Sequence, residues 1–130
     1  MSEENVELVR GRFAAALVDD WDTALEALDP DVEIHDFDIP DAGGVYRGHE
    51  GYRQWVQRWT EGWETTRMEQ AEFRAVGDDR VIVLFRMMVK GAHSGLELGR
   101  DDAILYRLRA GKIVRIEYYN DQAEAIRRAT

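Results

Sequence analysis

The sequence is 130 residues long, contains no cysteine and carries a formal net charge of −9 at neutral pH. The length suits a single domain, residues 1–130, and the missing thiols exclude disulfides, thiolate zinc centres and cysteine nucleophiles. So acidic a chain offers no basic face to nucleic acid and is repelled by anionic membrane surfaces.

Val6, Val9, Phe13, Ala16 and Leu17 recur at three- and four-residue steps and predict a first helix with one apolar stripe. Ser2 is its expected N-cap, and Glu3, Glu4 and Glu7 suit the positive end of the helix. Asp19 and Asp20 break the pattern. A short second helix follows with Trp21, Ala24, Leu25 and Leu28 inward, ended by Asp29-Pro30. Val32 to Asp36 alternates as a half-buried strand: Val32 and Ile34 share one face, Glu33 and His35 the other. Parity places Asp36 on the apolar face. Phe37 to Gly48 is rich in Asp, Gly and Pro and reads as a loop. His49 to Trp63 predicts a longer helix with Tyr52, Trp55, Val56, Trp59 and Trp63 on one side.

The remainder is strand-like. Thr66 to Val76 alternates weakly and turns at Gly77-Asp78-Asp79. Arg80 to Lys90 alternates strongly, with Val81, Val83, Phe85, Met87 and Val89 on one face and Ile82, Leu84, Arg86, Met88 and Lys90 on the other. A hairpin loop at Gly91 to Gly95 leads to a strand from Leu96 to Leu108, expected to bend near Gly99. Ala110-Gly111-Lys112 turns into a last strand, Ile113 to Tyr119, and an amphipathic tail helix covers Gln122 to Arg128. Short turns predict an antiparallel meander, and helices grouped before it predict an α+β fold: three N-terminal helices on a curved sheet around a pocket. Two partly apolar faces on Arg80 to Lys90 call for cover on both sides. Helices would supply one cover and a second copy part of the other, so a homodimer is expected.

This layout resembles the nuclear-transport-factor-2-like superfamily and, within it, the SnoaL-like group of ketosteroid isomerases and polyketide cyclases. The resemblance spans nearly the whole chain. It rests on Phe13 to Leu28 with its acidic break, Leu28-Asp29-Pro30-Asp31-Val32-Glu33-Ile34-His35-Asp36, Tyr46-Arg47-Gly48-His49-Glu50-Gly51, Gly111-Lys112-Ile113-Val114 and Tyr118 to Ala125. It implies a cone-shaped shell with a pocket between helices and sheet. Members include isomerases, cyclases, epoxide hydrolases, dehydratases and non-catalytic binding modules, so fold alone does not assign function.

Asp36 is the candidate catalytic residue. Desolvation at a pocket mouth would raise its proton affinity, as a general base beside a carbonyl requires, and in the isomerase pattern it falls on the catalytic aspartate. The alternative is that Asp36 binds loop amides. The isomerase oxyanion donors are not matched: the helical tyrosine falls near Arg12, and the protonated aspartate near Ala103 or Ile104, with Asp101 and Asp102 close by. A steroid isomerase is therefore not expected. The epoxide hydrolase pattern, Arg-x-Asp, also fails, since Met88 stands two residues after Arg86 and Tyr118 occupies the last-strand position. Arg100-x-Asp102 has the spacing but lies on the next strand, and reads as coincidence.

Arg86 is expected to bind a carbonyl or anion, or to pair with Asp36 or Glu117. Tyr118 is expected to donate its phenol into the pocket, and Trp55, Trp59, Tyr52 and Phe13 to wall it, or to serve as plain core. His35, His49 and His93 supply no convincing metal set. No Gly-rich phosphate loop or nucleophile elbow is present. Neither cofactor nor metal is expected. The N-terminus lacks the basic and apolar parts of a secretory signal and no apolar run is long enough to span a membrane, so a cytoplasmic location is expected. Two functions fit: a cofactor-free isomerase or cyclase acting on a small apolar, carbonyl-bearing molecule, or a non-catalytic ligand-binding or dimeric interaction module. A third outcome is a pocket filled by the chain's own tryptophans.

Overall fold

In the computed structural model, which describes residues 2–38, 45–61, 63–91 and 94–130, helices α1 (Ser2–Leu17) and α2 (Trp21–Glu26) precede strands β1 (Leu28–Asp36) and β2 (Val45–Arg47). Helix α3 (Gly48–Thr60) leads into β3 (Trp63–Val76), β4 (Arg80–Gly91), β5 (Glu97–Arg109) and β6 (Lys112–Tyr119), and α4 (Gln122–Ala129) ends the chain. The strands form one sheet in the order β2-β1-β6-β5-β4-β3. The class is α+β, as the element order predicts. Strands β3 to β6 are the expected antiparallel meander.

The two faces of β4 have different partners. Val81, Val83 and Phe85 join Ile104 and Tyr106 of β5 and Ile116 and Tyr118 of β6 against Val9 and Phe13 of α1 and Tyr52 and Trp55 of α3. Burying each large apolar side chain of this kind stabilises the fold by about 1.5–3 kcal/mol. On the other face Ile82 and Leu84 meet Leu105 and Tyr119, and Ala125 and Ala129 of α4 cover them. The tail helix thus supplies cover that the sequence reading gave partly to a second copy. Further along that face the sheet carries charge instead: Arg67 pairs with Glu69 and Glu97, and Arg86 with Asp101.

Several boundaries differ from the sequence reading, each for a local reason. Val45–Arg47 pairs antiparallel with Glu33 to His35, so the expected loop contains a strand too short to show a period. Residues 39–44 of that loop, and Ala92 and His93 of the later hairpin, lie outside the described residues. Helix α3 stops at Thr60, because Glu61 is extended at φ −64° and ψ 133°, and Trp63 opens β3. Strand β1 starts before Asp29-Pro30, as Leu28 pairs with Ile113 across an irregularity that accommodates the proline. Ser2 is the first residue of α1 rather than its cap. Asp20 caps α2 by accepting from the Thr23 amide at 3.3 Å.

Three features position the site. Strand β1 lies parallel to β6, with Ile34 opposite Ile116 and Asp36 opposite Tyr118. Positive φ at Ala110 (52°) and Gly111 (78°) gives the β5–β6 hairpin a turn whose twist matches its strands. Strand β5 runs unbroken through Gly99, where an added Cβ would come within 2.6 Å of an Arg86 terminal nitrogen. Among the described residues no helix is long and apolar enough to cross a membrane.

Candidate functional site

A cavity of about 340 Å³ opens between α1, α3 and the concave face of the sheet. Helix α1 contributes Arg12, Phe13 and Ala16; α3 contributes Tyr52, Trp55 and Trp59; the sheet contributes Met87, Ile104, Tyr106 and Tyr118. Leu17, Trp21 and Thr60 also line it, the first two being exposed apolar side chains. Trp21, Trp55 and Trp59 line this space and do not fill it. The rings are mutually tilted, with Trp59 4.8 Å and Trp55 5.9 Å from Tyr118 between centroids. Helical spacing puts Tyr52, Trp55 and Trp59 on one face of α3, and strand parity puts Ile104, Tyr106 and Tyr118 opposite them.

Asp36 stands at the end of β1 and faces α3, as parity predicts. Its Oδ2 accepts from the indole Nε1 of Trp55 at 2.8 Å and of Trp59 at 3.0 Å. Its Oδ1 accepts from the Asp38 amide at 2.8 Å. Both oxygens are therefore engaged, and Asp36 is not among the cavity's lining residues. It holds the backs of two wall tryptophans.

Beside it runs a chain of polar contacts that the sequence reading passed over. Asp102 on β5 is fully buried, and Arg100 grips it with Nε at 2.6 Å and a terminal nitrogen at 2.9 Å. The Tyr118 hydroxyl donates to Asp102 Oδ2, the oxygen that also accepts from the Arg100 terminal nitrogen. Arg100 also reaches Asp38 at 3.1 Å, and Asn120 donates to the same Asp38 oxygen at 2.9 Å. Hydrogen bonding to Asp102 raises the Arg100 pKa above its ordinary value. Burial first, then the Asp102 charge, lifts the Tyr118 phenol above the usual tyrosine range. The Tyr118 proton is thus committed to Asp102 rather than pointed at the cavity.

Among the described lining residues Arg12, Asp19 and Arg67 carry charge, and of these Arg12 alone is buried. It is 5% exposed, and its guanidinium lies 4.9 Å from the Tyr52 ring and 5.6 Å from the Tyr106 ring. One terminal nitrogen donates to the Tyr106 hydroxyl at 3.2 Å. Its Nε is buried with no hydrogen-bond partner among the described residues. Burial pushes the Tyr106 phenol up to about 12.

The structure places the remaining candidates apart. Phe13 and Tyr52 line the cavity with Trp55, Trp59 and Tyr118. Arg86 does not: it sits on the opposite face of the sheet and pairs with Asp101 at 3.0 Å, not with Asp36 or Glu117. Inversion of one strand face accounts for this, since Arg86 shares parity with Ile82 and Leu84 under α4. Glu117 instead accepts from Arg115 and from the Tyr119 hydroxyl. His35 contacts Glu33, and His49 donates to the Leu28 carbonyl. No group of metal-ligating side chains forms among the described residues.

Arg12, Arg100 and Asp102 were visible as pattern breaks. Arg12 falls on the apolar stripe of α1, between Val9 and Phe13. Asp102 shares strand parity with Ile104 and Tyr106, so an inward aspartate followed from their burial. Arg100 two residues earlier on the same strand was the available partner, and the two form an ion pair.

A family model described as a SnoaL-like domain matches residues 9–116. No curated protein matches the chain. Among solved structures, a nuclear-transport-factor-2-like protein of unknown function from Burkholderia pseudomallei is 26% identical, with a TM-score of 0.80 and 98% of each chain covered. TerC, co-crystallised with polyporic acid, is 24% identical at a TM-score of 0.79, covering 97% of this chain and 98% of its own. A protein from Xanthomonas campestris pv. campestris, provisionally described as a polyketide cyclase, is 18% identical at a TM-score of 0.78, covering 99% and 98%.

Proposed function

Since the chain belongs to the SnoaL-like domain family, whose fold hosts both enzymes and binders, we propose that it binds a small, flat, mostly apolar organic molecule in the cavity between α1, α3 and the sheet. The observation that carries this reading is an aromatic-walled cavity of about 340 Å³, a size suited to a ligand of a few fused or linked rings. Trp55, Trp59 and Tyr118 stack against the ligand body, and Phe13 and Tyr52 close the inner end. TerC offers a small organic molecule, polyporic acid, in a related fold.

Binding is favoured over carboxylate-driven isomerisation or cyclisation by the engagement of Asp36. A general base must reach the substrate proton, and Asp36, which accepts from Trp55, Trp59 and Asp38, is not among the residues that line the cavity. Asp36 is a positioning residue for the two tryptophans. Tyr118 contributes its ring and a hydroxyl oxygen that can accept. A neutral fluorescent probe, N-phenylnaphthylamine, tests the reading. It should bind saturably with one site per chain, and Ala16→Trp, which places an indole in the cavity, should weaken it by at least about tenfold, or about 1.4 kcal/mol. Equal binding by the wild type and the Ala16→Trp protein would refute the cavity as the site.

A further inference from the structure

We infer that Arg12 is an anion receptor within the cavity, so that the ligand is an organic acid: a flat apolar body ending in a carboxylate, sulfonate or ionised enol. The inference rests on the cavity being the ligand site and specifies which chemical class enters it.

Arg12 is a permanent cation, 5% exposed, in the wall of the cavity. Burying a charge costs several kcal/mol unless it is paired. Yet Arg12 forms no ion pair among the described residues. Glu7 and Glu26 border a second hollow that Arg12 also lines, and Asp19 lines the cavity itself, yet none of the three forms an ion pair with Arg12, and Glu7 pairs with Arg10. The guanidinium has five N–H donors. One terminal nitrogen reaches the Tyr106 hydroxyl at 3.2 Å, the Tyr52 hydroxyl also interacts with the guanidinium, and the Nε–H is buried without a partner among the described residues. A fold that keeps an unpaired, under-bonded cation in a cavity wall is completed by an anion arriving from the cavity.

The surroundings fit that role. The Tyr52 and Tyr106 rings lie 4.9 and 5.6 Å from the guanidinium, and its planar fork suits two-point recognition of a planar oxyanion. A lysine would supply charge without that fork. The apolar body would extend from Arg12 along Trp55 and Ile104 towards the mouth. The overall negative charge of the chain repels anions at long range, so selection depends on this buried contact, where screening is weak.

The experiment compares two probes that share the anilinonaphthalene ring system: anilinonaphthalene sulfonate, an anion, and N-phenylnaphthylamine, which is neutral. The wild-type protein should bind the sulfonate at least about tenfold more tightly, the scale of one charge-assisted contact. Arg12→Met should bring the ratio to about one, whatever its effect on the neutral probe alone. Arg12→Lys should keep part of the preference, and Arg12→Gln, a polar head without charge, should lose it, which keeps the test decisive if the methionine variant does not fold. A ratio near one in the wild type, or a preference that survives both Arg12→Met and Arg12→Gln, overturns the anion receptor. If N-phenylnaphthylamine still binds and Ala16→Trp still blocks it, the cavity itself stands. If Ala16→Trp blocks neither probe, the cavity reading falls and the receptor with it.

Discussion

Removing the Asp36 carboxylate separates a structural role for this residue from a catalytic one. In Asp36→Ala, the Trp55 indole, the Trp59 indole and the Asp38 amide lose their acceptor at once. A hydrogen bond to a charged group contributes about 1.5–3 kcal/mol, and a buried donor left unpaired costs about 1–3 kcal/mol. Trp55 is 7% exposed, so its N–H has little recourse to water and bears the full penalty. Trp59 and Asp38 are only partly buried, and water replaces some of what they lose. The expected loss is about 3 kcal/mol for Asp36→Ala. Asp36→Asn keeps one carbonyl acceptor but turns an amide donor towards other donors, so about half that loss is expected. Urea denaturation followed by tryptophan emission measures both, with an unchanged slope showing that the denatured states are alike. The indole environment should shift in the folded variants as well. A loss below about 1 kcal/mol for Asp36→Ala, with the emission spectrum unchanged, would refute the holding role and return Asp36 to candidacy as a base.

Three further outcomes follow from the Asp102 cluster and the buried phenols. Arg100→Met should destabilise the fold by about 3 kcal/mol, since it leaves a fully buried Asp102 without its cation; adding Asp102→Asn should recover part of the loss, read by thermal unfolding of the single and double variants. Tyr118→Phe removes the phenol donor to Asp102 and should cost about 1–3 kcal/mol by urea denaturation. Tyr106 and Tyr118 should resist ionisation in a spectrophotometric alkaline titration, Tyr106 until about pH 12. The folded protein holds both in the protonated form, so their contribution to stability is complete below the ordinary tyrosine pKa of 10.0 and declines as pH rises towards the folded values. Ionisation of all five tyrosines at the ordinary value in the folded protein would contradict the burial argument.

The fold was legible because its strongest signals are periodic. The alternation of Val81, Val83, Phe85 and Met87 identified a two-faced central strand, and the stripe of Tyr52, Trp55 and Trp59 identified the helix that faces it. Strand β2 escaped because three residues carry no period, and its pairing with β1 is a tertiary fact. The parallel pairing of β1 with β6 escaped for the same reason. Within the site, parity correctly turned Asp36 towards α3, and the alternative that it binds a loop amide describes its Oδ1. What parity could not show is that two indole donors reach the same carboxylate, because that depends on how α3 sits across the sheet. Arg86 was assigned to the wrong side because both faces of β4 carry apolar residues, and only the docking of α4 decides which is concave. Arg12 stood on the apolar stripe of α1 in plain view. It registered as a missing tyrosine rather than as a cation in its own right.

The most direct test follows the four tryptophan indole N–H signals of the nitrogen-labelled protein by NMR while N-phenylnaphthylamine is added. Single Trp→Phe variants assign Trp55 and Trp59. The account predicts that these two signals move together along one saturation curve, that Ala16→Trp abolishes the movement, and that Asp36→Ala displaces both signals before any ligand is added. Signals of Trp55 and Trp59 that stay fixed while the probe binds elsewhere on the protein would contradict a ligand cavity walled by these tryptophans.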